Sequence, residues 1–210
     1  MLVNESTQDQ NQHDLQELQQ GGSHAAARLF SNYRDRLERM VRFRMDSQLT
    51  GRVDPDDVLQ EAYLDIDRRL QSYLEDPAVP VFVWMRQITL QTLIDNHRRH
   101  LTAKGRSVRQ EAARPNGGGV TSVSLAGMLV GQLTSPSQAM MREERMEQVR
   151  AALDGMEELD REVLALRHFE HLTNNEVADV LGLQKAAASN RYMRALGRLK
   201  QALSGCLSEG

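Results

Sequence analysis

Cysteine is all but missing from this 210-residue chain. The single one, Cys206, has no partner for an internal disulfide, which fits a reducing compartment. Aromatic residues make up only 4% of the chain, with Trp84 the one tryptophan, so little is available for stacking on exposed bases. No apolar run approaches the roughly 20 residues of a membrane span. The first twenty residues are polar and rich in Gln, Asn and Asp, unlike a secretory signal. A cytoplasmic protein without membrane insertion is expected. No segment alternates as a strand does. A formal charge of −3 argues against a protein that simply coats nucleic acid.

What is present is strong segregation of charge. Residues 54–76 hold eight acids against two arginines, and residues 84–114 hold seven Lys and Arg against two acids. Residues 142–170 turn acidic again, and 184–200 carry five bases and no acid. Alternation of sign at helix-sized intervals points to partners of both charges.

Helical periodicity dominates, and the chain reads as all-α. Ser23 is a plausible N-cap for a helix with Leu29, Phe30, Tyr33, Leu37, Met40, Val41 and Met45 on one stripe. At "VDPDD" a second helix begins, with Asp54 as cap, Pro55 in the first turn and Asp57 at the positive helix end. Its core face is Leu59, Ala62, Ile66, Leu70 and Tyr73. A third helix is predicted from about Val81 to Leu101, with Trp84, Met85, Ile88 and Ile94 inward. Residues 103–137 include "RPNGGGVTSVS" and read as a flexible linker with at most a short helical turn. The predicted organisation is a disordered tail over 1–10 and two small helical domains, 11–102 and 138–207, joined by that linker.

Thr173 and Glu176 form a Thr-x-x-Glu capping box opening a short helix, with Val177, Ala178 and Leu181 inward. Gly182 sits where a tight turn is needed, and a longer helix follows from about Lys185. Its inward face is Ala188, Tyr192, Ala195 or Leu196, Leu199 and Leu203. Gln184, Lys185, Ala186, Ser189 and Asn190 then point outward, with Arg191, Arg194 and Arg198 along a flank. Small residues let such a helix enter the major groove deeply, polar neighbours read base edges, and flank arginines hold phosphates. An ordinary helical hairpin would show the same alanines, but not five bases against no acid.

"DPDDVLQEAYLDIDRRLQSY" resembles region two of bacterial sigma factors, with an Asp-x-x-Gln-Glu pattern at Asp57, Gln60 and Glu61. "FVWMRQITLQTLIDNHRRHL" is similar to the adjoining helix of that region, and "LDREVLALRHFEHLTNNEVADVLGLQKAAASNRYMRALGRL" is similar to region four. Size and order of segments match the ECF (extracytoplasmic-function) subgroup of the sigma-70 family over about residues 12–102 and 138–204. The resemblance implies a promoter-specificity subunit of RNA polymerase, not an enzyme, with no cofactor and no metal. It implies docking of Asp57, Gln60, Glu61 and Asp65 on the clamp helices of the largest polymerase subunit. The carboxylates recur every four residues, a stripe suited to a basic coiled coil. It also implies that the third helix and the loop before it, about Gln71–Val81, hold the promoter strand near the melted minus-ten element. Arg86, Arg98, Arg99 and Lys104 then contact phosphates, region four reads the minus-thirty-five element, and an anti-sigma factor is an admissible partner.

Two departures limit the transfer. Thr89, Leu90 and Gln91 stand where family members usually carry Asn, and "AAASNR" replaces the common Gly-Thr-Val-Lys-Ser-Arg of the recognition helix. A stand-alone helix-turn-helix regulator would share the C-terminal domain but has no use for an acidic face beside a basic helix. A metal-carboxylate enzyme built on Asp57, Glu61 and Asp65 lacks His or Cys at ligand spacing.

Overall fold

The computed structural model describes residues 2–45, 53–104, 122–133 and 139–207. Among them there are eight helices and no strand: α1 (Leu2–Arg44), α2 (Pro55–Glu75), α3 (Val81–Lys104), α4 (Ser122–Leu133), α5 (Ala139–Asp154), α6 (Glu158–His168), α7 (Asn174–Leu181) and α8 (Lys185–Leu207). The chain divides into two compact units: α1–α3 fall in the first, and α4, α5, α6 and α8 in the second.

In the first unit, α2 begins as its sequence dictates. The Asp54 carboxylate accepts from the Asp56 amide at 2.9 Å, Pro55 opens the helix, and two acids fill the first turn. Its buried face, Leu59, Ala62, Ile66, Leu70 and Tyr73 with Val58, packs against α1 and α3. From α1 come Leu29, Phe30, Leu37, Met40 and Val41, and from α3 Trp84, Met85 and Ile88, all buried. Tyr33, Met45 and Ile94, expected inward, are only partly covered. Burial of each large side chain contributes roughly 1.5–3 kcal/mol. Trp84 stacks on Tyr73 at 4.2 Å between centroids. Burial, with the charge of Asp14 adding, raises the Tyr73 phenol above its ordinary range.

Helix begins well before Ser23, which corrects the expected start and the expected tail over residues 1–10. α1 runs from Leu2 and breaks at Gly22, where φ is 52° and ψ −133°, a conformation open mainly to glycine. The two arms fold back on each other. Tyr33 donates to the Asp14 carboxylate, and Arg28 pairs with Glu17 at 2.9 Å. The Asn11 side chain accepts from the Val81 amide at 2.9 Å, capping α3 from seventy residues away. The first arm is polar and carries few apolar residues, so its pattern was faint, but Leu18 is fully buried.

The second unit contains α4, inside the segment expected to be linker. α4 packs against α5 and buries Leu125, Ala126 and Val130, the apolar part of "LAGMLVGQL". Twelve residues of helix replace the short turn the composition suggested. Arg161 donates to the carbonyls of Leu153 and Met156 at 3.0 and 2.6 Å, closing the C-terminal end of α5. Among the described residues no helix is long and apolar enough to cross a membrane.

Candidate functional site

The capping box forms as its spacing requires. The Thr173 amide donates to Glu176 at 2.7 Å, and the Glu176 amide donates to the Thr173 hydroxyl at 3.3 Å. Gly182 lies at φ 63°, and the Leu183 amide donates to Ala178 O at 2.8 Å. The Asn174 side chain donates to Lys185 O at 2.9 Å, tying the start of α8 to α7. The front of α8 then faces outward: Gln184, Lys185, Ala186, Ala187, Ser189 and Asn190 are all exposed, while Ala188 is buried. Ala186 and Ala187 present only methyls between the polar side chains of this surface, so it can approach the edges of base pairs closely.

On α2, Asp57 and Gln60 are exposed and share a face with Glu61 and Leu64. Leu64 is 48% exposed, one of two large apolar residues left to solvent among the described residues. Glu61 accepts from Arg99 at 2.6 Å and from Asn96 at 3.0 Å, both on α3. Asp65 pairs with Arg68 at 2.6 Å. The face is acidic, yet two of its carboxylates already hold a base.

The family model of the ECF sigma factor matches residues 12–205. The chain belongs to the ECF sigma factor family. Two curated relatives span nearly the whole length. The RNA polymerase sigma-H factor of Pseudomonas aeruginosa is 29% identical over 208 residues, covering 97% of this chain and 98% of its own. The ECF RNA polymerase sigma-E factor of Escherichia coli K12 is 24% identical over 185 residues, covering 86% and 87%. A solved structure of CnrH in complex with the cytosolic domain of CnrY shares the fold, at a TM-score of 0.51 and 20% identity, covering 93% of this chain and 97% of that one. An ECF sigma factor directs RNA polymerase to promoters, so polymerase and promoter DNA are the partners its surfaces must meet.

Several residues expected at those surfaces lie elsewhere in this sigma factor. Arg86 is 2% exposed, inside the first unit, and cannot reach a phosphate. The phosphate contact expected of Arg86 came from the resemblance alone, and α3 is buried nearly all round its first turns, Val81 to Arg86. Arg99 is exposed but paired with Glu61, and Arg98 is exposed with Asp95 at 3.8 Å. The side chains of Lys104, Leu203 and Cys206 lie outside the described residues.

The flank of α8 is divided. Arg194 is exposed. Arg191 and Arg198 instead turn toward α6: Arg191 Nη1 lies 2.8 Å from Asp160 and 3.0 Å from Glu157, and Arg198 Nη1 lies 2.6 Å from Asp160. The Arg191 guanidinium holds the Glu157 carboxyl below its ordinary value, and the carboxylates raise Arg191 in turn. Sequence reading missed Asp160, Asn11 and Asn96, whose partners are 31, 70 and 35 residues away. An acid in the first turn of a helix reads as dipole complement, which gave no signal of the arginines beyond it.

None of the nine aromatics is exposed. Phe30 meets Tyr63, Tyr33 meets Phe82 and Tyr73 meets Trp84 at centroid distances of 5.4, 5.0 and 4.2 Å. Base stacking by this surface therefore needs side-chain rearrangement first.

Proposed function

We propose that the first unit docks core RNA polymerase through the α2 face of Asp57, Gln60, Glu61 and Asp65, against the clamp helices of the largest subunit. α3 and the loop from Asp76 to Pro80 then lie along the promoter strand of the minus-ten element. The second unit reads the minus-thirty-five element with the front of α8: Gln184, Lys185, Ser189 and Asn190 face base edges, and Arg194 faces phosphate. The observation that carries the reading is the exposed polar front of α8 behind a fully formed capping box.

The absence of exposed aromatics supports a stringent promoter choice, since melting power from stacking is small. The fold neighbour CnrH is seen with the cytosolic domain of a second protein. An anti-sigma partner for this chain belongs to the same reading.

Run-off transcription on genomic fragments, with core polymerase and with or without the chain, tests the proposal. Initiation at a discrete set of fragments only when the chain is present supports it. Equal, tight and sequence-specific binding by the chain alone would point to a stand-alone regulator.

A further inference from the structure

Asp160 is 2% exposed at the start of α6. A buried carboxylate is unfavourable unless paired and hydrogen-bonded. Here one oxygen accepts from Arg191 at 2.8 Å and the other from Arg198 at 2.6 Å. Both arginines come from α8, seven residues and so about 10 Å apart along its axis. Two anchor points at that separation restrain rotation and sliding together. Apart from these arginines, α8 is held to α6 by half-buried Tyr192, whose hydroxyl lies 3.1 Å from His168 Nε2. The buried described residues of α8 are Ala188, Ala195 and Leu199, two methyls and one larger side chain, giving shallow ridges for register.

We propose that Asp160 is the positioning residue of the recognition helix, holding Arg191 and Arg198 so that Lys185, Ser189 and Asn190 face the bases. This deepens the sigma reading and rests on it. One residue of rotational slip in an α-helix is 100°, enough to put Asn190 where Ser189 stood, Arg191 where Asn190 stood and Ala186 where Lys185 stood. Asp160 itself touches no base. It acts on promoter choice through the two arginines, which the flank position alone would assign to phosphate.

The test uses the full chain with core polymerase, on a promoter found by run-off transcription and on the same promoter with its upstream element scrambled. Asp160→Asn keeps the volume and one good acceptor but removes the charge. The expected result is a loss of about tenfold in discrimination between the two promoters, the size of one specific base contact. The salt dependence of binding should stay unchanged, and adding Arg191→Met should cost little more discrimination. The opposite result, unchanged discrimination with a salt slope steeper by about two phosphates, overturns the proposal. Asp160 would then merely mask arginines that bind the backbone. Circular dichroism accompanies the assay. Should Asp160→Asn fail to fold, Arg198→Met, at a half-exposed position, removes one limb of the fork alone, and unchanged discrimination by that variant overturns the proposal equally. Failure of the parent chain to direct initiation at any fragment would instead remove the sigma reading beneath it.

Discussion

Glu61 Oε2 lies 2.6 Å from the Arg99 guanidinium, joining the acidic face of α2 to the basic end of α3. The same oxygen accepts from Asn96, which is buried. One carboxylate therefore serves the proposed polymerase face and, at the same time, the packing of two helices. Its replacement has two consequences that Asp57, exposed on the same stripe, separates.

Glu61→Lys should lower the stability of the first unit by ~1–2 kcal/mol, because it leaves buried Asn96 with only its bond to Thr92 O and sets a lysine against Arg99. Asp57→Lys should change stability by less than ~0.5 kcal/mol. Both should fail to co-purify with core polymerase. Thermal melts beside a pull-down check this. Retention of full polymerase binding by a folded Asp57→Lys chain would remove α2 from that interface.

Arg86→Ala should act on the fold and not on DNA affinity. Truncating a side chain that is 2% exposed opens a cavity and strands its partners, a loss of ~3 kcal/mol or more. The slope of promoter binding against salt, measured with core polymerase below the melting transition, should match the parent. A slope reduced by about one would mean that Arg86 does reach phosphate.

Asn11→Ala should destabilise the first unit by ~1 kcal/mol through loss of the cap on α3. Tyr73→Phe removes the hydrogen bond to Val79 O at 2.7 Å from the loop that precedes α3, and ~1 kcal/mol is expected again. Hydrogen exchange at the Val81 amide should rise in Asn11→Ala. An unchanged rate there would separate the cap from the order of the loop.

The second unit should weaken as pH falls below about 6.5. The His168 imidazole accepts or donates to the Tyr192 hydroxyl at 3.1 Å, and burial, with Arg167 and His171 nearby, lowers its pKa from the ordinary 6.5. In the unfolded chain it protonates at the ordinary value, so the unfolded state takes up the proton first. Stability is full above that pH, declines as pH falls through it, and levels once the folded form protonates too. His168→Gln should flatten this part of the melting-temperature profile relative to the parent. Parallel profiles would exclude His168 as the group responsible.

Helix boundaries set by local chemistry were legible in the sequence. Asp54 and Pro55 start α2, Thr173 with Glu176 starts α7, Gly182 makes the turn, and α8 begins at Lys185. A cap or a left-handed turn is decided within a few residues, by bonds whose partners are adjacent in the chain. The exposed front of α8 followed from its phase in the same way. The first arm of α1 and the whole of α4 were not legible. Each has a weak amphipathic pattern, and each holds its place through contacts with another helix, such as Asn11 with Val81 or Leu125 against α5. The destination of individual charges was decided by tertiary structure alone. In the sequence Arg86, Arg191, Arg194 and Arg198 look alike, because a guanidinium on a long flexible stem suits water, a phosphate or a buried carboxylate equally. Packing sent Arg86 inside and bound Arg191 and Arg198 to Asp160, leaving Arg194 on the surface. What separates them is the position of an acid dozens of residues away, fixed only when the helices come together.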